Sequence, residues 1–209
     1  MTTKLNYKQM KFSITQKSIL LILIVLVLDQ VSKIYVKTHF ELGEYVEVFN
    51  WFHIRFVENN GMAFGMEIIG KVFLTLIRLV AVVALVFYIR KLIRNEFKSG
   101  YILTISLVLA GAAGNILDSL YFGVIFNDSW GHVASFMPSG GGYAPPLYGK
   151  VVDMLYFPII KDKMGETLFF SPIFNIADSA ISVAVVILFL FYRKDLDRSL
   201  EKQKDEKVD

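Results

Sequence analysis

Aspartates beside carboxamide residues are the side chains of this sequence best suited to chemistry. Asp29, Asp118 and Asp178 lie in or at the ends of apolar segments, and Asp153 precedes the last such segment. Their carboxamide neighbours are Gln30, Asn115 and Asn175. Two carboxylates held close together cannot both ionise easily, so one keeps a proton. Such a pair can activate water and protonate a leaving group, which makes acid–base hydrolysis the favoured chemistry.

Other kinds of catalytic site have less support. The chain has no cysteine, which excludes thiolate nucleophiles and cysteine-ligated metals. The histidines at positions 39, 53 and 132 are scattered without HExxH-type spacing, which disfavours a zinc site. No serine lies in a G-x-S-x-G motif. The net charge of +3 is modest and forms no basic stripe, so no nucleic-acid partner is expected.

The elements that must position the aspartates are membrane helices. Of the 209 residues, 55% are hydrophobic, and the apolar residues concentrate in four blocks. A bilayer-spanning helix needs roughly 20 mostly apolar residues. The sequence therefore predicts an α-helical polytopic membrane protein, a single membrane-embedded domain with four spans. The predicted spans are 18–36, 72–89, 101–118 and 174–192. No alanine precedes Ala63, so we expect the first block to be retained rather than cleaved as a signal peptide.

Lysine and arginine residues indicate the orientation of these spans. They are dense before the first block, between the second and third, and after the fourth, and sparse elsewhere. By the positive-inside rule both termini are cytoplasmic, including the tail 194–209, and loops 37–71 and 119–173 are extracytoplasmic. Three aspartates, at positions 29, 118 and 178, then lie near the outer face. Taken singly, each could instead be an interfacial or helix-capping residue.

The outer loops have local structure of their own. Apolar and polar residues alternate over part of 45–57, which places Phe52, Ile54 and Phe56 on one side and His53 and Arg55 on the other. This pattern is typical of a half-buried strand, so a small β-containing extracytoplasmic subdomain is expected. The charged tail after the last span is expected to be a frayed helix or disordered.

Four motif blocks, in order, resemble the lipoprotein signal peptidase (signal peptidase II) family of bacterial aspartyl peptidases. The resemblance covers about residues 18–193. The blocks are DQVSK (29–33), NNGMAFG (59–65), GNILD (114–118) followed by VVD (151–153), and FNIADS (174–179).

The resemblance implies that Asp153 and Asp178 form a catalytic dyad, with Asp153 on a loop or partial helix that dips to the bilayer surface. It further implies substrate-binding or site-shaping roles for Asp29, Lys33, Asn59, Gly61, Asn115, Asp118 and Asn175. No metal or organic cofactor is implied. The implied substrate is a diacylglyceryl-modified prolipoprotein, cut before its lipidated cysteine at the outer face of the bacterial inner membrane. The expected partners are these substrates and membrane lipid, and a monomer suffices.

Two departures from the family pattern stand out. The family usually has arginine after the aspartate of GNILD, where this chain has Ser119. Residues 124–148 form an insertion before VVD, which is interpreted either as a lid over the site or as a surface excursion. The alternative functions are a channel or transporter subunit that uses its carboxylates for ions, or a membrane scaffold. The absence of an inverted repeat and the clustering of acids at one face disfavour transport.

Overall fold

Six helices and six short strands make up this protein in the computed structural model, which describes residues 12–60, 70–161, 167–169 and 172–205. The helices are α1 (Ile14–His39), α2 (Lys71–Arg94), α3 (Ser99–Leu117), α4 (Gly123–Ile125), α5 (Ile176–Phe191) and α6 (Arg193–Asp205), with a π-helix at Asp118–Phe122 between α3 and α4. The strands are β1 (Tyr45–Phe49), β2 (Phe52–Asn59), β3 (Val151–Tyr156), β4 (Ile160–Lys161), β5 (Thr167–Phe169) and β6 (Ile173–Phe174).

Within the described ranges, three helical segments are long and apolar enough to cross a bilayer: α1, α2 and the continuous stretch Ser99–Ile125. The fourth predicted span differs. Helix α5 has 16 residues, or about 24 Å at 1.5 Å per residue, which is short for a bilayer core of about 30 Å. It reaches span length only together with α6, which follows a bend of 87°. The helical membrane fold is confirmed with three to four spans, whereas the orientation of the termini stays a prediction.

Capping explains where two of these helices begin. Ser13 and Gln16 form a capping box at the start of α1, which begins four residues before the predicted span. Asn175 and Asp178 form the corresponding box at the start of α5. The predicted fourth span began at Phe174, but that residue lies in β6 and pairs with β3. The side chain of Asp178 is therefore part of the structure that starts its own helix.

Helices α1, α3 and α5 converge at Gly114. A β-carbon at this position would lie 2.7 Å from Asp29 Oδ2 and 3.0 Å from the β-carbon of Ala177. Only glycine permits this approach without displacing one of the two neighbouring helices. Just beyond this crossing, α3 continues as the π-helix that contains Asp118. Such π-helical turns are frequent at functional sites, and this one was not predicted.

The expected β subdomain is a four-stranded antiparallel sheet with strand order β1-β2-β3-β6; β4 and β5 form a separate pair. The single strand predicted over 45–57 is instead a hairpin of β1 and β2. The predicted sides of that strand hold only in part: Phe56 is buried and Arg55 exposed as expected, but His53 is buried as well. The register of β2 against β3 shifts between Ile54 and Val57, and this irregularity breaks the two-residue alternation.

The insertion 124–148 packs back onto the end of the third span. Its backbone is held by hydrogen bonds from Met137 N to Ile125 O (2.7 Å) and from Ala144 N to Gly123 O (2.9 Å). Tyr143 packs against a buried cluster that unites α1, the π-helix and the sheet. That cluster consists of Val36, Phe40, Phe56, Phe122, Phe126, Val152 and Met154. The insertion is therefore a packed part of the subdomain.

The tail forms helix α6 as far as Asp205 instead of fraying directly after the last span. Ser199 lies 2.6 Å from the hydroxyl of Tyr88 and 3.1 Å from that of Tyr101. Asp195 forms an ion pair with Lys98 at 2.9 Å. These contacts join α6 to α2 and α3 at the end of the bundle away from the sheet.

Candidate active site

The two aspartates expected to form the dyad come from different elements that meet at β6. Asp153 lies in the middle of β3, so the expectation of a loop or partial helix was wrong. Asp178 is the third residue of α5, one turn after the capping residue Asn175. Because β6 pairs with β3 and leads directly into α5, the sheet itself brings the start of α5 beside Asp153.

Asn175 joins the two aspartates. Its side-chain Nδ2 donates to Asp153 Oδ1 at 2.7 Å. Its side-chain Oδ1 accepts the backbone N–H of Asp178 at 2.9 Å, and its own backbone N–H donates to Asp178 Oδ2 at 3.4 Å. Asn175 is completely buried, so its side chain holds one geometry. Helix capping and the positioning of these two aspartates thus depend on the same residue.

Asn115, on α3, provides a second amide contact. Its Nδ2 donates to Asp178 Oδ1 at 2.7 Å, and its Oδ1 accepts from Asn175 Nδ2 at 3.0 Å. The same oxygen accepts from the ammonium of Lys33 at 3.0 Å. A continuous hydrogen-bonded chain therefore runs from Lys33 through Asn115 to Asp178.

Lys33 forms ion pairs with two carboxylates. Its Nζ lies 2.8 Å from Asp29 Oδ2 and 2.8 Å from Asp118 Oδ2, and all three side chains are fully buried. Gln30 Nε2 donates to both carboxylates, at 3.1 and 2.8 Å. Buried charges are tolerated when they are paired and fully hydrogen-bonded, which this arrangement achieves.

Each of these two carboxylates also holds the backbone just before an aspartate of the dyad. Asp29 Oδ1 accepts the N–H of Ala177 at 2.9 Å, and Asp118 Oδ2 accepts the N–H of Val152 at 3.3 Å. Ala177 precedes Asp178, and Val152 precedes Asp153. Asp29, Lys33 and Asp118 therefore position β3 and α5 relative to one another.

Eight of the nine expected site residues are brought together in this way, and Gly61 lies outside the described residues. The eighth, Asn59 on β2, donates from Nδ2 to Asp153 Oδ2 at 3.2 Å. Ser119, in place of the family's usual arginine, donates from Oγ to the carbonyl of Asn115 at 3.2 Å. Its carbonyl accepts the N–H of Gly149 at 3.0 Å, so this position fastens the end of the insertion to the π-helix.

The Asp153 carboxyl is set up to hold a proton near neutral pH. Burial, together with the nearby charge of Asp178, raises its pKa from an ordinary value of 3.8 to about 7. The hydrogen bonds from Asn59 and Asn175 act in the opposite direction but do not cancel the effect. A buried carboxyl beside a second one is the arrangement in which a single proton is shared.

A second buried charge cluster was missed by the sequence analysis. Glu58 on β2 forms ion pairs with Lys37 and, at 2.9 Å, with Lys150 at the end of the insertion. Burial alone would raise the pKa of Glu58, but the two ammonium groups more than offset this and hold it below its usual range. Lys37 follows Lys33 by four residues, as Lys33 follows Asp29, so the three side chains share one face of α1. This spacing is a sequence signal that could have indicated the second charge cluster.

Beside Asp178 opens a cavity of about 600 Å³. Its lining is mostly apolar and comes from the approach to α5 and its first turns. The lining residues are Pro172, Ile173, Phe174, Asp178, Ser179, Ser182 and Val183.

Known proteins are similar to this chain over most of its length. The family profile described as Signal peptidase (SPase) II matches residues 21–193. The chain belongs to the signal peptidase II family. The lipoprotein signal peptidase of Porphyromonas gingivalis is 44% identical over 194 residues, covering 88% of this chain and 86% of that protein. The lipoprotein signal peptidase of Amoebophilus asiaticus is 31% identical over 204 residues, covering 89% and 81%.

Two solved structures of bacterial membrane enzymes are also similar. One, determined by the in meso method at 1.9 Å resolution, has a TM-score of 0.59 and 28% identity and covers 83% of this chain and 90% of its own. The other, at 2.3 Å, has a TM-score of 0.58 and 26% identity, covering 87% and 90%. This signal peptidase II is therefore a multi-pass membrane protease involved in lipoprotein processing.

Proposed function

We propose that this signal peptidase II is an aspartic endopeptidase that uses Asp153 and Asp178 to remove signal peptides from diacylglyceryl-modified prolipoproteins. The cut falls before the lipid-modified cysteine. The observation that carries the proposal is the bridge through Asn175, which hydrogen-bonds Asp153 at 2.7 Å and caps the helix of Asp178. It holds the two carboxyl groups at one site, and one of them, Asp153, has a raised pKa.

The proposed reaction is the addition of water to a peptide bond. Asp178, whose Oδ1 accepts from Asn115 at 2.7 Å, is the ionised partner and takes a proton from the attacking water. Asp153, whose pKa is raised to about 7, is the protonated partner and polarises the scissile carbonyl. The resulting tetrahedral species breaks its C–N bond as Asp153 protonates the departing amine, while the proton taken from water stays on Asp178. The products are a carboxylic acid and an amine, and the dyad regains its single shared proton.

The substrate class is supported by the position of the site. The cavity beside Asp178 has apolar walls, contributed in part by Ile173 and Val183. The rest of α5 exposes large apolar side chains, with Leu190 and Phe191 each 70% exposed. A lipid-modified precursor can thus keep its acyl chains in the bilayer while the peptide next to its cysteine enters the site.

The proposed location is the bacterial inner membrane, with both termini in the cytoplasm and the dyad at the extracytoplasmic face. The distribution of lysine and arginine supports this orientation. The lipidated cysteine of a precursor lies at that same face, which brings the scissile bond to the depth of Asp153 and Asp178. A single chain contains all of the described site residues, so a monomer suffices.

The proposal is tested with the purified full-length protein reconstituted in lipid vesicles. A prolipoprotein carrying diacylglycerol on its cysteine is the substrate, and the matched control is the same precursor without the lipid. We expect cleavage of the lipidated precursor and release of a free signal peptide identified by mass spectrometry. Equal cleavage of the unlipidated control would overturn the substrate assignment. Proton-coupled flux without any cleavage would favour transport instead.

A further inference from the structure

The end of α2 farthest from the aspartates carries a row of cations beside an aromatic ring. Phe87, Arg90, Lys91 and Arg94 line a cavity of about 550 Å³. These positions are spaced by three and four residues, so they share one face of the helix. Among the residues that the structure describes, no carboxylate forms an ion pair with Arg90 or Arg94.

This face points away from the protein. The buried residues at the same end of α2 are Ile89 and Leu92, which are 6% and 1% exposed and belong to the cluster packed on α3. Phe87 is 63% exposed. In a bilayer-spanning helix, the outward face is the one that contacts lipid.

The cavity is remote from the candidate active site. At the opposite end of α2, Thr75 Oγ1 donates to the carbonyl of Leu147 at 3.5 Å, within the subdomain that contains Asp153. The helix has 24 residues, or about 36 Å at 1.5 Å per residue. The cations and the aspartates therefore lie at the two opposite surfaces of the membrane.

We propose that Arg90 and Arg94, with Phe87, form a binding site for the headgroup phosphate of an anionic phospholipid. Arginine presents a planar fork of donors that matches a phosphate with two hydrogen bonds. Two arginines four residues apart repel one another, and a phosphate between them removes this repulsion. Phe87 lies one turn deeper in the apolar part of the helix, at the level where the acyl chains of the same lipid begin.

Charge complementarity selects this ligand over a neutral lipid. The cavity combines a cationic rim with an aromatic side chain, and a phospholipid carries its anionic and apolar groups in the same order along the membrane normal. Basic pockets at the ends of membrane helices bind anionic headgroups on the same physical basis. A soluble phosphate would use the arginines but gain nothing from Phe87.

The experiment measures lipid binding to the purified full-length protein by native mass spectrometry. Phosphatidylglycerol, phosphatidylcholine and inorganic phosphate are the three probes. The wild type is expected to bind phosphatidylglycerol more tightly than phosphatidylcholine. Each of Arg90→Gln and Arg94→Gln should weaken phosphatidylglycerol binding about fivefold, because one cation near an anionic headgroup strengthens binding by roughly this factor. The double variant should weaken binding by the product of the two single factors.

The matched control is Arg193→Gln with Lys194→Gln, which removes two exposed cations from the start of α6 without touching the cavity. It should bind phosphatidylglycerol as the wild type does. Glutamine is a good helix former, and thermal unfolding in lipid-free detergent checks that each variant is folded. Wild-type binding by R90Q/R94Q would overturn the proposal, as would an equal loss in the control. Displacement of the lipid by an equal concentration of inorganic phosphate would also overturn it.

Discussion

Asn175 donates a hydrogen bond of 2.7 Å to the carboxylate of Asp153. The same side chain caps α5 by accepting the backbone N–H of Asp178 at 2.9 Å. One buried carboxamide therefore sets both the start of the helix that carries one aspartate and the orientation of the other. The geometry of the dyad follows from helix capping, a local interaction, combined with the pairing of β3 and β6.

Two substitutions of Asn175 separate these two roles. Asn175→Ala removes both the cap and the bond to Asp153, whereas Asn175→Ser keeps a good capping group that is too short to bridge. We expect Ala to lower the free energy of unfolding by about 1 kcal/mol more than Ser. Both should reduce kcat/KM on the order of tenfold, the value of a hydrogen bond to a neutral carboxyl group. If Asn175→Ser kept full activity, bridging would be dispensable.

The buried ion pairs of Lys33 predict a large stability effect. Lys33→Met leaves Asp29 and Asp118 as buried carboxylates without a counter-ion, which should cost about 3–5 kcal/mol in the free energy of unfolding. The matched control is Lys98→Met. The Lys98 side chain is 68% exposed, so its ion pair with Asp195 should contribute less than about 1 kcal/mol. Thermal unfolding in detergent measures both.

A second variant tests the cause of that loss. Adding Asp29→Asn to Lys33→Met removes one unpaired charge but keeps an oxygen for the N–H of Ala177. Stability should recover in part. If the double variant is less stable than Lys33→Met alone, the penalty does not come from unpaired charge.

Glu58 predicts an acid-sensitive junction between β2 and the insertion. Its pKa is held below the ordinary value of 4.5, so its stabilising contribution is complete above that value. The contribution is lost as the pH falls through the lower pKa of the folded protein. Glu58→Gln should therefore lower the free energy of unfolding by about 3 kcal/mol at neutral pH and much less in acid, because it leaves Lys37 unpaired. Glu47→Gln, with a 56% exposed side chain, is the control and should have little effect at either pH.

The shared proton predicts the pH dependence of cleavage. Asp153 has a pKa raised to about 7, so it holds its proton below that pH and loses it above. Because the protonated form is the proposed general acid, kcat/KM should fall as the pH rises through about 7. In Asn175→Ser this decline should shift to higher pH, since the lost hydrogen bond stabilised the ionised form of Asp153. A profile that rises through this range would contradict the assignment of the acid.

The long spans were predictable because each is predominantly apolar over a bilayer-spanning length, and α1 even carries its capping signal in Ser13 and Gln16. The sheet was harder to predict. Asn59 pairs with Val151, a partner 92 positions away, and such a pairing leaves no local pattern. The irregularity between Ile54 and Val57 breaks the expected alternation of β2. The π-helix at Asp118 was missed because its sequence differs little from that of an ordinary helix.

The site residues were predictable because their motifs are short, ordered and specific. Their arrangement was not. A sequence places Asp153 near Asp178 only through a family resemblance, since the strand between the insertion and β4 has six residues and no strong signal. Nothing local shows that Asp29 and Asp118 each accept the N–H just before a dyad aspartate. These contacts arise from the crossing of three helices at Gly114.

The dyad itself is tested most directly by replacing each aspartate with its isosteric amide. Asp153→Asn, Asp178→Asn and the exposed control Asp128→Asn are purified and assayed with the lipidated precursor. The two dyad variants should be folded yet fail to release signal peptide, while the control cleaves at the wild-type rate. Full processing by either Asp153→Asn or Asp178→Asn would contradict the proposed mechanism.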